Sequence, residues 1–307
     1  MNFKNIRRRM SFIFTRLVLE ICSLIVRKLP ERRLYGFAKS TGHFFFLVFA
    51  RHRKTAFDGL RMAFGNEKTP QEQKRIVLDC FEFMAKSGVE LLYGAPRPAF
   101  VRKQVSIVRG EILAEAASRG RGVILVSAHF GNFPLILARL SLEGYKTAVI
   151  MRPVKDSRLE ELFAKDCARL DVRTIMSIPR RECVVESIRS LRANRAMLIP
   201  LDQNFGTGGV YVDFFGRKAA TATGPVVLAQ RTGAAIIPCF MVRQKDDSNV
   251  LFFEPEITIA RGKDEAETIV RTIQKITDVI ESYIRGYPES WSWIHKRWKS
   301  RPRHERR

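Results

Sequence analysis

The chain has 307 residues, 46% of them hydrophobic, which supplies a large packed core and excludes wholesale disorder. It carries 54 Lys and Arg against 31 Asp and Glu, a formal charge of +23 that attracts polyanions: nucleic acid, an anionic membrane surface or an acidic protein. The five cysteines are odd in number and scattered without a Cys-x-x-Cys pair, which speaks against a disulfide framework or a zinc site and for a reducing compartment.

The stretch Met10–Leu29, MSFIFTRLVLEICSLIVRKL, is long enough to cross a bilayer, but Arg16 and Glu20 interrupt it on one helical face. A spanning helix would bury both at a cost of roughly a few kcal/mol each. Anchoring in the interface leaves them wet and buries only the Phe/Ile/Leu face. A second apolar patch, GHFFFLVFA at Gly42–Ala50, runs into Arg51-His52-Arg53-Lys54 and reads either as a helix packed on the domain or as membrane contact. Basic residues bunch beside such apolar stretches and at the termini, with no zinc-finger spacing, RNA-recognition aromatics or basic zipper. This favours a membrane surface over nucleic acid. Residues 1–50 are therefore expected to be a membrane-associating helical segment, and 51–307 the functional domain.

Pro70–Tyr93 has the spacing of an amphipathic helix. Beyond Val101 the pattern alternates. Strands are expected at Gly122–Val126, Lys146–Ile150, Ala196–Leu201, Ala235–Val242 and Val250–Phe253, with helices at Phe133–Glu143, Leu159–Leu170, Cys183–Ala193 and Pro225–Thr232. Asp264–Arg285 closes the chain as a long amphipathic helix. The fold class that follows is α/β, with a largely parallel central sheet flanked by helices.

Within this pattern GVILVSAHFGNFPL, Gly122–Leu135, is central: a buried strand ends in His129 and turns through Gly131-Asn132 into a helix. That places an imidazole at the carboxyl edge of the sheet, where open α/β folds bind their ligands. Three further stretches accompany it: MRPVKDSRLEEL at Met151–Leu162, LDQNFGTGGVYVDFFGRKAATATGPVVLAQRTGAAIIP at Leu201–Pro238, and PESWSWIHKRWKSRP at Pro288–Pro302. With SAHFGNFPL, and in this order, they resemble the bacterial lipid A biosynthesis (late) acyltransferases of the lysophospholipid acyltransferase superfamily.

The resemblance implies a glycerolipid acyltransferase-like fold and transfer of a fatty acyl group from a thioester of acyl carrier protein or coenzyme A to a hydroxyl on a lipid acceptor. It implies a site on the cytoplasmic face of the bacterial inner membrane, with membrane lipids and an acidic carrier protein as partners, no nucleic acid, and no metal or other cofactor. It makes His129 the base that deprotonates the acceptor. The family also places a carboxylate five positions after that histidine, and here the position is Pro134. Three accounts stay open: a carboxylate from elsewhere, His129 acting alone, or a catalytically weak lipid-binding relative. Asp202 is the relocated carboxylate to test, because it ends the strand Ala196–Leu201 and forms the family's Asp-Gln pair with Gln203; a turn role would account for it as well.

Arg152 and Arg158 are expected to meet phosphate or oxyanion charge, with Arg169 and Arg180 behind them. Asn132 and Gln203 are expected substrate contacts, as are Thr223 and Gly224 at the helix start before Pro225. Phe214-Phe215 reads either as acyl-path lining or as core. Trp291, Trp293 and Trp298, interleaved with Lys and Arg, read as a membrane interface or as a closing segment packed on the domain.

Overall fold

The chain is described by a computed structural model over residues 20–94, 96–153 and 167–302. Residues 10–19 with Arg16, the position of Arg158, and most of the expected helix 159–170 lie outside the described residues.

A seven-stranded sheet forms the centre, in the order β1-β9-β8-β2-β5-β3-β4. The strands are β1 Val105–Val108, β2 Val123–Ser127, β3 Thr147–Met151, β4 Val172–Met176, β5 Ala196–Pro200, β8 Ala235–Arg243 and β9 Asn249–Phe253; β6 Val210–Phe214 and β7 Arg217–Thr221 make a separate hairpin. β8, β2, β5, β3 and β4 run parallel. Every residue of β2 is buried, the signature of a parallel strand covered on both faces.

The sheet is largely parallel, as expected, with one antiparallel pair. β9 pairs antiparallel with β8, because residues 244–248 are too few for a crossover, and β1 then runs parallel to β9 at the edge. The strands without a sequence-based expectation are β1, β4, β6 and β7. β4 carries Arg173 in a short edge strand, and the hairpin turns on Phe215 and Gly216, at φ 54° and 67°. Two consecutive positive φ values match the twist of a tight hairpin.

Helices cover both faces. They are α1 (residues 20–28), α2 Glu31–Val48, α3 Ala50–Phe64, α4 Pro70–Gly94, α5 Pro98–Gln104, α6 Gly110–Ser118, α7 Phe133–Leu142, α8 Arg180–Arg192, α9 Gly224–Thr232 and α10 Glu265–Gly286. In α10 the buried Ile273, Ile276, Ile280 and Ile284 repeat at helical spacing, and Asp264 caps the first turn by accepting from the Glu267 N–H at 2.8 Å. Both readings of the Gly42–Ala50 patch find residues. Phe45 and Phe46 pack against the core, whereas Phe44, Leu47, Val48 and Phe49 are exposed. No helix among the described residues is long and apolar enough to cross a membrane.

α2 buries Leu34, Ala38 and Gly42, one residue per turn, against α4. A Cβ on Gly42 would sit 2.5 Å from the Glu82 Cα, so the two helix backbones touch there. Gly42→Ala should therefore lower unfolding stability by about 1–3 kcal/mol despite alanine's better helix propensity, as read by denaturant melts. A neutral or stabilising result would show that the two helices can separate at no cost.

Candidate functional site

β2 and β5 pair with Ser127 opposite Pro200, and the Leu201 N–H donates to the Ser127 carbonyl at 2.8 Å. His129 and Asp202 each lie two residues past this pair, so strand register alone brings them to one point on the carboxyl edge. His129 Nδ1 donates to Asp202 Oδ1 at 2.8 Å. A carboxylate can only accept, so Nδ1 carries the proton and Nε2 keeps its lone pair. That lone pair faces the Gln203 amide, whose Nε2 donates to it at 3.1 Å. The His129 ring meets Phe133 edge to face at 4.9 Å.

Asp202 is only 3% exposed. Burial pushes its carboxyl up, but the His129 charge, the His129 hydrogen bonds and the Trp291 indole N–H, which donates to Oδ2 at 2.7 Å, outweigh it and hold the group below the usual range. For His129, burial pushes the imidazole down, and the Asp202 charge and hydrogen bond override it, so the ring titrates above the ordinary histidine value. The stability linked to His129 is complete below about pH 6.5 and is lost as pH rises through its folded value; that linked to Asp202 is present above about pH 3.9 and is lost as pH falls through its folded value. Both are fully present between about pH 4 and 6.5.

His129 opens onto a cavity of about 1500 Å³ lined by Pro134, Leu137, Ile150 and Phe205 among others. Arg152, Gln203, Thr223 and Gly224 are on its wall, as are Arg180 and, from the N-terminal helix, Leu24 and Arg27. Arg152 follows β3 directly, at the same sheet edge as His129. Arg169 is described, but away from the cavity lining. Thr223 occupies the N-cap position of α9 but makes no side-chain cap bond there.

Asn132 is placed differently from the expectation. It is 1% exposed, off the cavity wall, and its Nδ2 donates to Glu90 Oε2 at 2.8 Å and to the Ser87 carbonyl at 3.2 Å. Glu90 is wholly buried and bound by both arms of Arg243, at 2.6 and 2.7 Å, and by Tyr35 and Asn249. A buried carboxylate needs such a donor set, and Asn132 completes it. The residue thus ties the start of α7 to α4, with its side chain committed to Glu90 rather than to the cavity wall. Phe214 and Phe215 likewise belong to the core, against Trp298 and Phe64.

The closing segment Pro288–Pro302 packs directly behind the site, a placement that inspection of the sequence missed. All three tryptophans are buried, at 2%, 1% and 6% exposure for Trp291, Trp293 and Trp298, so the packed reading holds over the membrane-interface one. The segment clasps both loops of the site. The Gly131 N–H donates to the Ser290 carbonyl at 2.9 Å, and the Ser292 N–H to the His129 carbonyl at 3.0 Å. Gly131 has φ 61°, and a Cβ there would meet the Met241 carbonyl oxygen at 1.9 Å, so only glycine fits this turn. His295 accepts the Asn204 N–H on Nε2 at 3.0 Å, and burial pushes its pKa down. The usable signal was that the whole stretch belongs to the resemblance.

Comparison with known proteins gives the family. The family model described as bacterial lipid A biosynthesis acyltransferase matches residues 1–300. The chain is 25% identical over 287 residues to the lipid A biosynthesis lauroyltransferase of Escherichia coli, covering 91% of this chain and 89% of that one. It is 27% identical over 256 residues to the lipid A biosynthesis palmitoleoyltransferase of the same organism, covering 82% and 80%. It is also 26% identical over 207 residues to the phosphatidylinositol mannoside acyltransferase of Mycolicibacterium smegmatis, covering 67% and 66%.

Asp202→Asn should lower kcat by about 10²–10⁴-fold while the protein stays folded. It should also move the acid limb of kcat/KM to lower pH, because burial then acts on His129 unopposed. Pro134→Glu should bring no gain, since Nδ1 already has its carboxylate. A pH–rate series on the three proteins checks this; an unmoved limb in Asp202→Asn would remove Asp202 as the partner.

Proposed function

This chain belongs to the bacterial lipid A biosynthesis acyltransferase family, and on that premise we propose that it moves a fatty acyl group from a thioester of acyl carrier protein or coenzyme A to a hydroxyl of a lipid A precursor or related lipid, at the cytoplasmic face of the bacterial inner membrane. The O-acyltransferase activity on lipid substrates comes with the family; donor, acceptor and location are the proposal. One observation carries it: a histidine, polarised by a buried carboxylate, sits on the floor of an apolar cavity of about 1500 Å³ that is studded with arginines. This exceeds the roughly 300–1,000 Å³ of ordinary small-molecule sites and suits acyl chains.

In the reaction the acceptor hydroxyl takes the place of the Gln203 amide at His129 Nε2. As the oxygen attacks the thioester carbonyl carbon, Nε2 takes its proton, and Asp202 stabilises the imidazolium. The carbonyl oxygen becomes an oxyanion, for which Arg152 and the released Gln203 amide, both on the cavity wall, supply donors. Collapse breaks the carbon–sulfur bond, and the thiolate leaves with the proton that Nε2 held. Ester and thiol are the products, and the base is regenerated.

The surroundings support a membrane setting. Leu24, Ile178 and Phe205 line the cavity yet are themselves exposed, and Arg27, Arg152 and Arg180 line it with them. Such a rim suits an anionic lipid surface. The mycobacterial relative motivates a second acceptor class, a mannosylated glycolipid. Transfer of labelled acyl groups from acyl carrier protein and from coenzyme A should be measured against lipid A precursors, lysophospholipids and such a glycolipid. Wild type should label a lipid A precursor, and His129→Ala should lose about 10²–10⁴-fold. Labelling of the glycolipid alone would replace the acceptor, and no labelling of any lipid would overturn the reading.

A further inference from the structure

Arg297 is 1% exposed, packed among aromatic side chains with its guanidinium 5.2 Å from the Phe214 ring centroid. Among the described residues no carboxylate lies within ion-pair distance of it, and its Nε has no hydrogen-bond partner. Such a buried cation is costly, and an apolar side chain would pack there more favourably. What Arg297 does contact is specific. Nη1 donates to the carbonyls of Gln203, at 3.2 Å, and Ala220, at 2.6 Å, and Nη2 donates to Thr221 Oγ1 at 2.5 Å. The Ala220 carbonyl also takes the Phe205 N–H at 3.1 Å. One rigid fork therefore pins the end of β7 to the loop that carries Asp202 and Gln203. A lysine has no such fork.

The charge has an address as well. Burial lowers the Arg297 pKa to about 10, and Asp202 is the group that opposes this, so the side chain stays charged at neutral pH. Asp202 is the charged group that acts on His129, while His295 on the closing segment feels Asp202, His129, Arg297 and Arg152.

We propose that Arg297 is a positioning residue for acyl transfer: it clamps the Gln203 backbone so that Asp202 and Gln203 each meet one nitrogen of His129. His129 is thereby held where Nε2 can accept the hydroxyl proton and return it to the departing thiolate. This rests on the acyl-transfer reading only for its kinetic part.

The test compares wild type, Arg297→Met and Arg297→Lys by steady-state kinetics and by NMR titration of the labelled His129 ring, assigned with His129→Gln. In Arg297→Met, kcat should fall about 10²-fold or more with KM within about threefold, and the His129 midpoint should fall, because Asp202 no longer keeps its place on Nδ1. Arg297→Lys keeps the charge and loses the fork, so kcat should stay at least about tenfold down and the midpoint should fall there too. Wild-type kcat and midpoint in both folded variants would reduce Arg297 to packing and overturn the proposal. If Arg297→Met fails to fold, the lysine variant decides alone: wild-type kcat there sinks the clamp. Absence of acyl transfer in wild type would sink the functional reading instead, and the titration would still test the clamp.

Discussion

The hydrogen bond between His129 Nδ1 and Asp202 Oδ1 is the interaction on which the site depends. It settles the tautomer, leaves Nε2 free to act as a base, and supplies the charge that an imidazolium needs. It exists because β2 and β5 pair in one register, with Ser127 opposite Pro200. A slip of one residue would turn one of the two side chains to the other face of the sheet. The bond also demands that a buried carboxylate stay ionised, which burial opposes. Trp291 and the ring of His129 together satisfy both oxygens of Asp202, and the low-dielectric setting that makes ionisation costly makes the pair effective once it is satisfied.

Two polar clusters hold this bond in place from opposite ends of the chain. Glu90, with Arg243 and Asn132, fixes the start of α7 just beyond His129. The closing segment, through Ser290, Ser292, His295 and Arg297, fixes the backbones of both loops. The reacting groups sit on loops, yet the loops are pinned at both sides, as catalysis requires of groups held to fractions of an ångström. By contrast the cavity wall is apolar and draws residues from α1, α7, α8 and α9, a surface suited to accommodating chains rather than to fixing one polar geometry.

Much of the fold was legible because periodicity follows burial. The strand over Gly122–Val126 differs by one residue from β2, and the helix over Asp264–Arg285 differs by one residue from α10, because fully buried strands and amphipathic helices print themselves on the sequence. The edge strands β1 and β4 and the β6–β7 hairpin did not, since short, partly wet strands carry mixed residues. Among site residues, His129 and Asp202 were readable from their places at strand ends. The burial of Asn132 was not legible, because nothing local says that a loop amide will be drawn into a buried carboxylate 42 positions away. The tryptophans of the closing segment were ambiguous for the same reason: composition is alike for a membrane belt and for a packed core.

The amino-acid sequence by itself determined the α/β class, the order of the central elements, the basic character of the molecule and the place of His129 at the sheet edge. These depend on local burial, charge and chain order, which are properties of neighbours in sequence. Only the tertiary structure decided which carboxylate serves His129, which arginines reach the cavity, and that the last fifteen or so residues of the matched region form the back of the site. Those follow from strand register and from contacts between residues 70 to 160 positions apart, and a one-dimensional pattern holds no record of such distances.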